Sequence, residues 1–197
     1  MLKSIFLTGV GGQGVVTMAN MISAHLQRLE YRVTLIHATG MAQRGGRVTS
    51  EIRFSDDASS NFGPRISSGG ADYCIGMDMA ETINSAAFLK DAGCLIYNDY
   101  TLIPSQAVLK KEAFPGSDEV EDVFKDRCGR IVAVRDPERP VNLFVLGVLA
   151  AVCGKDDSLS SIINTPSFED TLREALTKRV DENLSAFRKG AEYGASV

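Results

Sequence analysis

Ser4-Ile5-Phe6-Leu7-Thr8, followed at once by Gly9-Val10-Gly11-Gly12-Gln13-Gly14, is the stretch that decides the fold. The first five residues read as a buried strand. From Gly14 onward Val15, Met18, Ala19, Ile22, Leu26 and Leu29 fall on one helical face. A strand that turns through glycines directly into a helix is the opening of a βα unit. Arg32 to His37 supplies the next strand, and Ala71 to Met77, Gly93 to Asn98 and Arg130 to Val134 supply three more. Strands alternating with helices predict an α/β fold: a doubly wound, largely parallel, Rossmann-like sheet in a single domain over residues 1–197.

Between these strands the chain carries its own punctuation. Val48, Ser50, Ile52 and Phe54 alternate with Thr49, Glu51 and Arg53, which predicts a half-exposed strand away from the sheet centre. Ala58 to Gly70 is a turn-rich connection. Asp78 with Glu81 predicts a capped helix to about Leu89, and Ser167 with Asp170 predicts another cap. Lys110 to Arg127, with its acidic run Asp118-Glu119-Val120-Glu121-Asp122, reads as a solvated excursion. Pro140 and Gly154 bracket an apolar helix through Cys153, and Leu184 and Phe187 mark a last apolar stripe ending at Gly190.

Composition narrows the function classes. A net charge of −4 argues against phosphate-backbone binding, so nucleic acid is not an expected partner. The longest apolar run, Leu143 to Cys153, is too short to span a bilayer, and the first residues carry no signal-peptide pattern, so a cytoplasmic protein without a membrane partner is expected. Cys74, Cys94, Cys128 and Cys153 are widely spaced, without a C-x-x-C pair or clustered histidines, and read as small buried thiols rather than metal ligands.

Gly9, Gly11, Gly12, Gln13 and Gly14 match G-x-G-x-x-G in the context that gives the motif meaning, after a strand and before a helix. Backbone N–H groups at such a turn can approach an anion, assisted by the helix dipole. The alternative is that the glycines only allow close packing of helix on strand. Dinucleotide binding also requires an acid near the end of the second strand, where this chain has His37, Ala38 and Thr39. His37 is a weak site candidate, and His25 reads as a packed or surface residue, since neither has metal or triad spacing. No catalytic residue is assigned.

Gly40-Met41-Ala42-Gln43-Arg44-Gly45-Gly46 is more distinctive. Gly45 and Gly46 permit turns closed to other residues, and Gln43 and Arg44 are long polar side chains beside them. Arg44 offers a planar fork for a carboxylate or phosphate, with an internal salt bridge as the alternative. Gly40, Met41, Gln43, Arg44, Gly45 and Gly46 are therefore expected to form a partner- or substrate-facing loop.

Taken together, Gly9 to Val15 and Gly40 to Gly46 resemble the gamma subunit or domain family of the 2-oxoacid:ferredoxin oxidoreductases, the second motif being most similar to the indolepyruvate ferredoxin oxidoreductase beta-subunit branch. Arg53-Phe54, Asn142, Gly147, Asn183, Phe187 and Gly190 extend the resemblance over nearly the whole chain. One departure is Thr39, where the family often has His. The resemblance implies oxidative decarboxylation of a 2-oxoacid, indolepyruvate or another aryl pyruvate, to acyl-CoA and CO2 with reduction of ferredoxin. This chain has neither a thiamine motif nor a cluster-forming cysteine set. No firmly bound cofactor is therefore expected on it. Thiamine diphosphate and iron–sulfur clusters are expected on a larger partner subunit, with ferredoxin engaged indirectly, a contact to coenzyme A on this chain, and a homodimer as a form of the isolated chain. The competing classes are a free-standing NAD(P)-binding dehydrogenase and a regulatory nucleotide-binding module.

Overall fold

β1 (Leu2–Val10) lies inside a six-stranded sheet of order β2-β3-β1-β4-β5-β6, in a computed structural model that describes residues 1–40, 46–103 and 114–197. The other strands are β2 (Arg32–Thr39), β3 (Arg47–Ser55), β4 (Ala71–Gly76), β5 (Leu89–Asn98) and β6 (Cys128–Val134). The pairs β1·β4, β4·β5 and β5·β6 are parallel, whereas β3 runs antiparallel to both β1 and β2. Five strands thus point one way and β3 the other, giving the mostly parallel α/β sheet that the strand–helix alternation predicts.

The position of β3 differs from the expectation. It is an interior strand between β2 and β1, and Ser50, Glu51, Ile52, Phe54 and Ser55 are buried on it. Its polar residues mimic a solvent-facing period because they are satisfied internally. The Glu51 carboxylate accepts from Arg65 at 2.8 Å and from the Ile66 N–H, tying the 58–70 connection to the sheet. The edge belongs to β2, most of whose residues are partly or fully exposed.

Helices cover both faces. On one lie α1 (Val15–Arg28), α4 (Val141–Cys153), α5 (Thr165–Ala175) and α6 (Val180–Ser196), whose apolar residues share a core with Ile5, Leu7, Ile75 and Ile96. On the other lie α2 (Met79–Asn84) and α3 (Ser117–Phe124), around Phe6, Cys74, Leu95 and Tyr97. Asp78 caps α2 as predicted, accepting from Glu81 N–H at 3.2 Å, but the helix stops at Asn84 and β5 already starts at Leu89. The acidic run is solvent-exposed, as expected, and it is helical. It rides on α3, which keeps its carboxylates outward while Val120 and Phe124 enter the core. The cap of α5 is Asn164, accepting from Ser167 N–H at 3.1 Å, rather than Ser167 itself, because Pro166 already lies in the first turn. Helix α6 runs past Gly190 to Ser196.

Gly147 and Gly190 set how closely α4 and α6 approach. A Cβ on Gly147 would lie 1.9 Å from the Phe187 carbonyl oxygen, and one on Gly190 the same distance from that of Phe144. These two residues carry part of the family resemblance, and what they do here is permit backbone-to-backbone packing.

His25 is wholly buried between α1 and α5. Nε2 lies 2.8 Å from the Ile162 carbonyl, which can only accept, so the neutral ring carries its proton there and Nδ1 accepts from Thr171 Oγ1 at 2.7 Å. Burial holds its pKa below the ordinary 6.5. The unfolded chain therefore takes up a proton near pH 6.5 that the folded chain resists. His25 thus makes stability fall as pH drops below about 6.5, until the lower folded pKa is passed. Thermal melts from pH 7.5 to 5 should show a steeper loss for the wild type than for His25→Gln; parallel curves would remove His25 from the acid response.

Candidate functional site

The two glycine motifs meet at the carboxyl end of β1. Val10 pairs with Arg47 in the β1·β3 ladder, the Gly11 N–H donates to the Gly46 carbonyl at 3.0 Å, and the Gly40 N–H donates to that of Arg47 at 2.7 Å. The turn after β1 and the stem of the 40–46 connection thus form one hydrogen-bonded unit. Met41, Gln43, Arg44 and Gly45 lie outside the described residues; of the predicted loop, Gly40 and Gly46 are placed at its stem.

Within the first turn, Gln13 closes the backbone from both sides: its N–H donates to Val10 O at 3.1 Å and its Oε1 accepts from Val10 N–H at 2.7 Å. Its carbonyl is committed to the fold, and its amide –NH2 is the group it has left for a ligand. Gly14 is required twice. Its φ of 85° is left-handed, and an added Cβ would lie 2.8 Å from the Asn142 amide nitrogen. Gly12, at φ 98°, has nothing within 4 Å of where a Cβ would stand, so it leaves open space over the turn. Gly9 serves packing, with Met77 and Val15 within 2.9 Å of such a Cβ.

That open space belongs to a cleft of about 680 Å³ along the carboxyl ends of β1, β4, β5 and β6. Gly12, Gln13, Met77, Asn98, Tyr100, Arg139, Asn142 and Arg179 line it, together with Asp99, Asp136 and Glu182. Open α/β sheets bind ligands at this end, where the strand order reverses. Three helices start here, α1 after Gly14, α4 after Pro140 and α6 after Arg179, and none has a side-chain cap. By contrast, α2, which starts next to the cleft residue Met77, is capped by Asp78 and α5 by Asn164, and Glu119 accepts from Gly116 N–H at the start of α3. Asn98, 5% exposed, donates to Met77 O at 3.3 Å, while its Oδ1 has no hydrogen-bond partner. A buried amide oxygen left so costs about 1–3 kcal/mol. The cleft therefore offers helix-end N–H groups, two arginines and an amide acceptor, against three carboxylates, of which Asp99 pairs with Arg135 at 3.3 Å and Glu182 with Arg179 itself at 3.5 Å. Asn98, Arg139, Asn142 and Arg179 were not singled out from sequence as cleft residues, because the fold alone brings them together.

The other candidates sit elsewhere. His37 on β2 is held by Ser50 Oγ at 2.8 Å and Asn20 Oδ1 at 3.3 Å, two strands from β1. Strands are about 4.8 Å apart, so residues 37–39 stand roughly 10 Å from where a dinucleotide ribose would lie over β1. The absent acid and the interposed β3 thus disfavour a dinucleotide site for two separate reasons, one chemical and one geometric. Burial pushes the thiols of Cys74 and Cys94 up to about 12 and that of Cys128 to about 11, which suits packing rather than nucleophilic chemistry. Among the described residues no helix is long and apolar enough to cross a membrane.

Residues 4–193 match the family model described as pyruvate ferredoxin/flavodoxin oxidoreductase. Indolepyruvate oxidoreductase subunit IorB of Archaeoglobus fulgidus is 29% identical, covering 100% of this chain and 97% of its own, and that of Thermococcus kodakarensis is 26% identical over 96% and 94%. Among solved structures, the keto/oxoacid ferredoxin oxidoreductase gamma subunit of Geobacter sulfurreducens superposes with a TM-score of 0.63 at 18% identity, covering 99% of each chain. The 2-oxoglutarate:ferredoxin oxidoreductase of Magnetococcus marinus, a structure with 2-oxoglutarate, coenzyme A and succinyl-CoA bound, gives 0.69 at 17% identity, covering all of this chain and 31% of that one. Calorimetry with NADH should detect no micromolar binding to this chain; a one-to-one micromolar isotherm would restore the dehydrogenase class.

Proposed function

We propose that this chain, which belongs to the pyruvate ferredoxin/flavodoxin oxidoreductase family and is a subunit of a 2-oxoacid:ferredoxin oxidoreductase, acts with indolepyruvate or another aryl pyruvate and lends its carboxyl-end cleft to coenzyme A. Residues 1–197 serve as one gamma-type domain, working in the cytoplasm. A larger partner subunit carries the thiamine diphosphate that supplies the decarboxylation chemistry and the clusters that pass electrons to ferredoxin. The substrate class rests on the relatives named for indolepyruvate, which match over nearly their full length.

One observation carries the assignment of the cleft: three uncapped helix starts and the unpartnered Asn98 oxygen converge on it. The residues fit a ligand with anionic phosphates and amide donors, which coenzyme A is. N–H groups at the starts of α1 and α4, with Arg139 and Arg179, would hold phosphate, and Asn98 Oδ1 would accept from an amide N–H. Asp99, Asp136 and Glu182 limit how much negative charge the cleft takes, so phosphate is best received on the α1 side. The chain's work is to bind and orient. The proton and electron transfers belong to the partner, and the 40–46 connection faces that partner or the substrate through Gln43 and Arg44.

Anaerobic affinity capture from native extract tests the assignment. A large iron–sulfur chain should co-purify, and the purified small chain should be colourless and inactive with any 2-oxoacid until that chain is added. Stoichiometric visible absorbance from a cluster in the small chain alone would refute it. In the same system Arg44→Ala should leave the melt of the isolated chain within about 1 kcal/mol. It should weaken assembly or turnover by about 2–5 kcal/mol if the contact is buried in the complex. A lowered melt with unchanged ferredoxin reduction would make Arg44 a structural clamp instead.

A further inference from the structure

Arg47 follows the second glycine motif directly, and its side chain, 39% exposed, reaches helix α2. Its Nε lies 3.2 Å from Glu81 Oε2, not aligned as a hydrogen bond, and its Nη2 donates to Ser85 Oγ at 3.0 Å. Ser85 is itself placed by donating to the Glu81 carbonyl at 2.8 Å. Helix α2 is not a loose anchor. Its cap Asp78 is buried and accepts from Glu81 N–H and, at 2.7 Å, from Leu102 N–H, while Met79 N–H donates to the Tyr100 carbonyl. The backbone of Arg47 is pinned as well, pairing with Val10 and accepting from Gly40 N–H. One residue is thus held by its main chain to β1 and to the stem of the 40–46 connection, and by its side chain to α2 on the opposite face of the sheet from α1.

We infer that Arg47 is a positioning residue for the reaction: with Glu81 and Ser85 it clamps the stem shared by the two glycine motifs and so fixes Gly40 and Gly46 relative to the Gly11–Gln13 turn and the cleft. The inference rests on the proposal that these two motifs act together in the assembled oxidoreductase. An arginine suits the task because its planar fork engages the carboxylate and the hydroxyl from different nitrogens at once, which the single ammonium of lysine does less well. Arg47 touches no reacting atom. Its effect passes through Gly46 and Gly11, where a displacement on the order of 1 Å is enough to cost catalysis.

The test uses the complex assembled with its iron–sulfur partner, with three variants, Arg47→Ala, Arg47→Lys and Glu81→Gln. The first readout is amide hydrogen exchange in peptides spanning residues 7–15 and 38–48. Arg47→Ala should speed exchange there by about tenfold, with the global melt little changed, because only a local opening is released. The second readout is ferredoxin reduction. Its kcat should fall by about tenfold in Arg47→Ala, with KM for the 2-oxoacid unchanged. Glu81→Gln should do the same less severely, Arg47→Lys should recover part of the rate, and joining Arg47→Ala to Glu81→Gln should add nothing. Unchanged exchange in Arg47→Ala would overturn the clamp, and faster exchange with an unchanged kcat would overturn its role in the reaction. A wild-type complex unable to reduce ferredoxin would instead overturn the subunit assignment on which the inference stands.

Discussion

The pairing of Val10 with Arg47 is the contact on which the rest of this molecule's working end depends. Running antiparallel between β1 and β2, β3 starts at the carboxyl end of β1 and finishes at its amino end, so Gly46, where the second glycine motif ends, lies beside the first. A parallel arrangement would have placed β2 next to β1 and sent its following connection over a helix. Here the Gly11 N–H meets Gly46 O instead, and both motifs share one set of backbone bonds. The same insertion moves the end of β2 two strands from β1, where an acid could not serve a nucleotide bound over the first turn.

Much of this was readable in the residues. The strand over Ser4–Thr8, the helix from Val15 and the apolar helix before Cys153 follow from hydrophobic period and from glycine and proline punctuation. The interior place of β3 is not legible in the sequence, because Ser50 and Glu51 look like solvent-facing residues when their partners are unknown. Glu51 is answered by Arg65 and Ile66 from a turn-rich connection whose path no local pattern specifies. A signal was nevertheless available in chain length. Residues 40–46 number seven between β2 and β3, fewer than the dozen or so that a parallel crossover requires, and this alone dictates an antiparallel return.

The cleft was less legible than the fold for a different reason. Gln13, Asn98, Arg139, Asn142 and Arg179 come from four separate places in the chain and converge only because the ends of β1 and β5 and the starts of α4 and α6 lie on one side of the sheet. Motif reading finds Gln13, since it stands among glycines, and assigns it to a ligand. The structure shows it first closing the turn on Val10. Asn142 and Gly147 were marked by resemblance, and they separate into different tasks. Asn142 packs over Gly14 at the cleft, while Gly147 makes room for the Phe187 carbonyl a full turn further into the core.

Three helix starts without side-chain caps give the cleft its binding groups. A side-chain cap contributes about 1 kcal/mol, and this chain has one from Asp78 on α2, which starts beside Met77 at the rim of the cleft, and one from Asn164 on α5. At the cleft the three corresponding positions are Gly14, Pro140 and Arg179, none of which offers a side-chain oxygen. Arg179 even adopts a left-handed φ of 49°, which is unfavourable for a residue with a side chain. Leaving the caps off costs stability on the order of a few kcal/mol across the three helices, and the α4–α6 contact and the core beneath it can sustain that loss. A cap would also compete with any acceptor brought to the same N–H groups. The sequence thus forgoes local stability at three helix starts along the cleft, and their N–H groups are left open to an acceptor.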